Sequence, residues 1–161
     1  MEFVINEWYP IWHNPQRSTP EEQAKARAFL QWLQNNDHRI VVLLNTEFTK
    51  KLNGYRRDFS FHPMCSNYLK LFFSQIFINP EKCRILETPP DLPDDIEEIL
   101  KRPPEPPLKN VESDRYLFQS AETTEEKIIV TTDIKLMKHF EGNGRYQLWG
   151  VEEFMSKFEI K

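Results

Sequence analysis

The chain has 161 residues, 39% of them hydrophobic and 13% aromatic, and a net charge of -4. That length and apolar content suit one domain with one core and exclude a disordered chain. The acidic balance argues against avid, non-specific nucleic-acid binding, which needs a basic field, but not against a locally basic groove.

Glu2–Ile5 is the first strand candidate, and it stops on an amide and a carboxylate, Asn6 and Glu7. The stretch "WYPIWHNPQRS" then reads as a loop, with Pro10 and Pro15 stopping regular structure. Thr19-Pro20-Glu21-Glu22 is a helix start: Thr19 caps, Pro20 takes the first helical position and Glu22 completes a capping box. Ala28, Phe29, Trp32 and Leu33 supply the apolar stripe of that helix, which ends near Asn35-Asn36.

"RIVVLL" (Arg39–Leu44) is a continuous branched run, the pattern of a strand buried on both faces of a parallel sheet. Asn45 or Thr46 caps a second helix running to about Tyr55. "PMCSNYLKLFFSQIF" predicts a third helix and "CRIL" a short strand. The proline-rich stretch from about 87 to 110 predicts an extended surface connection carrying one short helix, Asp95–Lys101.

The last third is the most regular. Ser113 caps a helix holding Leu117, Phe118 and Ala121, "KIIVTT" is a buried strand ending at Asp133, and "IKLMKHF", "YQLWGV" and "EEFMSKF" give helix, strand and helix. Strands joined through helices pair in parallel with right-handed crossovers. The prediction is one three-layer α/β/α domain spanning 1–161, around a mostly parallel sheet.

Ligands in such sheets sit at the carboxyl ends of strands. Asp133 lies just past one such end, Glu47 in the first helical turn after another, and Asn6 and Glu7 close the first strand. Asp114 opens the helix before "KIIVTT" and shares the face of Leu117, Phe118 and Ala121. Each acid alone reads as a helix cap or a complement to a helix dipole. Together at one sheet end they would repel unless a cation neutralised them. Hard oxygen donors suit Mg²⁺ or Mn²⁺, which can activate water for phosphodiester hydrolysis.

The stretch "SDRYLFQSAETTEEKIIVTTDIKLMKHF" resembles the PIN domain, a family of metal-dependent ribonucleases that includes many toxins of bacterial toxin–antitoxin pairs. In that resemblance Glu47 matches the second family acid, Asp114 the third and Asp133 the fourth, and Thr131 or Thr132 matches the hydroxyl residue before the last acid. "YQLWGVEEFM" is similar to the family's closing strand and turn. Two departures stand out. The proline-rich stretch lengthens the span between the second and third acids, and Asn6 occupies the place of the first acid, followed by Glu7. Neighbouring strand residues face opposite ways, so Glu7 reaches the site only if the chain turns there. The resemblance implies catalysis by Glu7, Glu47, Asp114 and Asp133, and Mg²⁺ or Mn²⁺ held by these four with Asn6. It also implies RNA as substrate, and an antitoxin, another protein or a second copy as partner. The alternative is an inactive PIN-like module that binds a protein or RNA.

Other signals are weaker. Lys50, Lys51, Arg56 and Arg57 place cations near Glu47 that can contact RNA phosphates or form an ordinary solvated helix face, and Trp8, Tyr9 and Trp12 can stack on bases or pack on the core. His13, His38, His62 and His139 show no ligand spacing and predict surface or loop roles. Cys65 and Cys83 predict free buried thiols. With no basic flank, no apolar signal core and no run near the ~20 residues that cross a bilayer, the sequence predicts a cytoplasmic protein.

Overall fold

The structure, a computed structural model, describes residues 1–57, 63–102 and 111–161, without the side chains of 63–66 and 111. Its described strands form one parallel five-stranded sheet: β1 (Glu2–Ile5), β2 (Arg39–Leu43), β3 (Cys83–Leu86), β4 (Ile128–Thr131) and β5 (Gln147–Gly150), in the order β3-β2-β1-β4-β5. The chain winds outward from β1 to β3, returns across the sheet and winds the other way through β4 to β5. This reversal puts a topological switch point between β1 and β4, and the crevice above it is where open α/β sheets bind ligands.

The register there is Phe3 beside Ile128, Val4 beside Ile129 and Ile5 beside Val130. All six residues are buried, as continuous apolar strands covered on both faces should be.

One face of the sheet is covered by α2 (Pro20–Asn35) and α8 (Val151–Lys157), where Phe3 meets Phe29 at 6.2 Å, Phe154 at 5.0 Å and Trp32 at 6.1 Å between ring centroids. On the same side α3 (Glu47–Arg57) and α4 (Pro63–Phe72) lead to β3, and a π-helical turn, Phe73–Phe77, extends α4. The other face carries α5 (Asp94–Lys101), a 3₁₀ turn (Val111–Asp114), α6 (Arg115–Glu122) and α7 (Ile134–His139), joined by the stacked rings of Phe118 and Phe140 at 4.0 Å. The three-layer α/β/α architecture is thus the one expected. So is the start of α2, where Thr19 and Glu22 make both bonds of a capping box.

Three expectations are corrected. Pro10 does not stop structure: Trp8–Trp12 is a short helix, α1, entered directly from β1. Pro10 stands in its first turn, where a backbone N–H has no partner to lose. The proline-rich stretch is not simply a surface excursion, because Leu92, Ile96 and Leu100 are buried and Glu97 ties α5 to Arg115. Residues 103–110 of it lie outside the described residues. His13 is a core residue, 2% exposed, packed on Tyr9 and Tyr68. His139 contacts the Ile99 carbonyl and His38 stacks on Trp32, whereas His62 lies outside the described residues. Cys83 is free and buried, its thiol pushed up to about 12 by desolvation, so it is unreactive as a nucleophile. The side chain of Cys65 lies outside the description. Among the described residues no helix is long and apolar enough to cross a membrane.

At the amino end of the sheet Glu2 binds Arg84 in a fork (3.0 and 2.6 Å) and also Arg39 (2.7 Å), joining β1, β2 and β3. Glu122 plays the matching part at the end of α6. It accepts from Arg145 at 2.6 and 2.9 Å, from Lys127 at 2.8 Å and from the Tyr146 hydroxyl. The Arg145 hydrogen bond, with help from Lys127 and Tyr146, holds the Glu122 carboxyl down at about 2. Glu122→Gln should therefore cost about 1–2 kcal/mol at pH 7, discounted for the exposed Arg145 end. A folded value below the unfolded one gives stability that is present above ~4.3 and lost as pH falls toward 2. The wild-type advantage in urea melts should be full at pH 7 and shrink below pH 4.

Candidate metal and phosphoryl-transfer site

The crevice over the switch point is floored by a polar chain linking β1 to β4. Asn6, 6% exposed, donates through Nδ2 to Thr131 Oγ1 at 2.7 Å, and its Oδ1 accepts the Trp8 backbone N–H at 3.3 Å. Thr131 Oγ1 also accepts the backbone N–H of Asp133 at 3.0 Å, and the Trp8 indole donates to the Val130 carbonyl at 3.1 Å. Asn6 is therefore a clamp between the strands that shape the crevice. Thr131 rather than the exposed Thr132 is the hydroxyl at this place. Trp8, Tyr9 and Trp12 are buried, so they pack in the core and are not surfaces on which bases stack.

Directly after Asn6 the backbone turns. Glu7 is helical (φ -66, ψ -6), at the cap position of α1, and its side chain makes no capping bond. Leaving the strand at this point releases Glu7 from strict alternation and brings it over the crevice. Its nearest cation is Lys51 of α3, with Nζ 3.8 Å from Glu7 Oε1.

Asp114 comes from the opposite layer. It stands at the cap position of α6 and also makes no side-chain capping bond, so the helix does not account for it. Its carboxyl is pushed up to about 7, first by burial, then by the charges of Glu7 and Asp133, with Lys51 opposing. Three carboxylates from three separate segments therefore lie within electrostatic reach at one sheet end.

The other acids divide. Asp133 caps α7: its Oδ1 accepts the N–H groups of Lys135 (2.9 Å) and Leu136 (3.0 Å), while Oδ2 takes no hydrogen bond among the described residues. Glu47, about half exposed, is held at 2.9 Å by Lys50, whose hydrogen bond lowers its carboxyl. It sits on the rim, in a cavity of about 490 Å³ shared with Lys50, Glu87, Arg115 and Tyr116. Among the described residues no three acids, histidines or cysteines stand close enough, as placed, to hold a metal ion.

Two members of the site were not legible in the sequence as such. Lys51 read as a phosphate contact on a helix surface, but it leans into the acids. Its signal was the i, i+4 spacing to Glu47, which puts both on one face of α3. Tyr116 was missed. It is 7% exposed, and its hydroxyl is close enough to the charges of Glu7, Asp114 and Glu47 to be held well above the usual phenol range, after burial itself. A larger groove of about 580 Å³ between α2 and α8 carries none of these acids, and in it Lys25 pairs with Glu21 and Glu152.

The chain matches no protein-family model, no curated protein and no solved structure.

Proposed function

We propose that this chain is a PIN-like ribonuclease that hydrolyses RNA phosphodiesters with Mg²⁺ or Mn²⁺, in the setting of a toxin–antitoxin pair. The observation that carries it is the placing of Glu7 and Asp133 within electrostatic reach of Asp114 at the switch point, with Asp114 pushed up first by burial and then by these acids, and unused by its helix. The donors fit a hard divalent cation: they are carboxylate oxygens, they repel one another, and Asp133 keeps an oxygen outside its cap. Glu7, Asp114 and Asp133 would hold the ion, with Glu47 at the rim. A bound ion supplies an activated water and stabilises charge on the phosphate. The rest of the site has its own tasks. The Asn6–Thr131 clamp fixes the backbone of Asp133, and Lys50 and Arg115 line the rim cavity where a polyanion's phosphates would lie.

Purified protein with Mn²⁺ should cleave mixed single-stranded RNAs, and Asp114→Asn or Asp133→Asn should slow it by ~100-fold or more, beyond what outer-shell changes cost. The Asn at 133 keeps an oxygen for the α7 cap, so its loss reports on the site and not on the helix. Undiminished cleavage in both variants would sink this assignment.

A second reading has its own support. Asn6 brings no charge, and both ends of its amide are occupied by Thr131 and by the Trp8 backbone. An inactive PIN-like module that binds a protein or RNA would keep such a clamp and cleave nothing. Absence of Mn²⁺ binding at millimolar metal, measured by calorimetry, would favour it.

A further inference from the structure

We propose that the ammonium group of Lys51 is the built-in counter-ion of the cation site formed by Glu7 and Asp114, so that a divalent ion must displace it to bind. This rests on the metal-site assignment made for the same crevice.

Lys51 stands on the second turn of α3 with its side chain 31% exposed, and it approaches Glu7 to 3.8 Å. That is an electrostatic pairing beyond hydrogen-bond distance, so the group is held by charge and not locked by geometry. Its field also reaches Asp114 and Glu47. One ammonium on a flexible four-carbon stem therefore serves carboxylates from the β1–α1 turn, from its own helix and from the start of α6.

A second observation points to a ligand in the same place. The Tyr116 hydroxyl, on a side chain 7% exposed, faces the Glu7 carboxylate yet forms no well-shaped hydrogen bond with any described residue. Buried polar groups are almost always satisfied by protein or by ordered water. Mg²⁺ and Mn²⁺ keep part of their hydration shell when bound to a few carboxylates, and such a shell offers this hydroxyl a partner where the lysine does not. Lys51 can swing outward as an ion enters, toward Glu47 one helical turn away and toward solvent.

The test is calorimetric titration of MnCl₂ into the full chain, comparing wild type with Lys51→Met, which keeps the stem and removes the charge, and Lys51→Arg, which keeps a cation. Lys51→Gln serves in the same comparison if the Met variant does not melt cooperatively. The neutral variants should bind Mn²⁺ about tenfold more tightly, as expected for removing a like charge at this distance from partly screened acids. The Arg variant should stay within about twofold of wild type, and Mn²⁺ should raise the melting midpoint of Lys51→Met more than that of wild type. Equal or weaker binding in the neutral variants overturns the proposal, as does no binding to any variant. RNA cleavage measured in parallel separates this from the nuclease assignment. Tight binding without cleavage sinks only the nuclease, and cleavage with equal Mn²⁺ affinities sinks only the role of Lys51.

Discussion

Asp114→Asn is expected to make the metal-free protein more stable at pH 8 while removing the Mn²⁺-dependent cleavage proposed for this site. The Asp114 carboxyl is pushed up from 3.8 to about 7 by burial and by its acidic neighbours. The folded value therefore lies above the unfolded one, and between about pH 4 and 7 the native state keeps a proton that the unfolded chain has released. Stability then falls as pH rises through this window and levels off above pH 7. The full shift corresponds to ~4 kcal/mol, and screening at a partly exposed group reduces this to about 1–3 kcal/mol. In a chain of this size that is about 3–9 °C in melting midpoint. Melts of both proteins in EDTA at pH 8 and pH 4.5 read the effect: the variant should lead at pH 8, and the difference should largely close at pH 4.5. A gap of the same size at both pH values would mean that Asp114 titrates like an exposed acid. The predicted opposition of stability and activity is the trade-off of a site held under charge strain.

The strands were readable because parallel sheets demand it. "RIVVLL" and "KIIVTT" are apolar on both faces, and only a covered parallel strand wants that. The cap box of α2 was readable because its bonds are local. What escaped was tertiary. Pro10 looked like a stop, yet proline in a first turn gives up nothing. Ile96 and Leu100 were hidden by surrounding prolines, although their i, i+4 spacing is that of a core-facing helix stripe. In the site, position after a strand end singled out Glu7, Glu47 and Asp133, and the apolar face of its helix singled out Asp114. Local chemistry could not tell which acid its helix would use. The structure divides them: Asp133 caps α7, and Asp114 caps nothing. Lys51 and Tyr116 were invisible as partners because their meeting with Glu7 spans three segments of chain.

His13 is expected to make acid the main threat to this fold, and Asp114 to mask it. The imidazole is buried against Tyr9 at 4.9 Å and stacked near Tyr68 at 5.9 Å, and its Nε2 has no hydrogen-bond partner among the described residues. Desolvation, helped by the charge of Arg27, lowers it from 6.5 to about 3. A histidine kept neutral in the fold but free to charge when unfolded loses stability as pH falls from 6.5 toward 3. By pH 4 the loss is about 3 kcal/mol at 1.36 kcal/mol per unit, a large part of the ~5–15 kcal/mol a domain has. Asp114 works in the opposite direction over nearly the same window, since falling pH relieves its charge. The two contributions should partly offset between pH 4 and 6.5, leaving the wild type with a shallower profile than His13 alone would give. Single variants uncover each one. His13→Gln cannot titrate; apart from a pH-independent cost of lost ring contacts, it should gain stability as pH falls from 6.5 to 4. Asp114→Asn should lose stability over the same interval, with the full slope of His13. Urea unfolding of the three metal-free proteins at pH 4, 5.5 and 7 measures these slopes by linear extrapolation. Three parallel profiles would mean that neither buried group is coupled to folding; slopes of opposite sign in the two variants are the expected result.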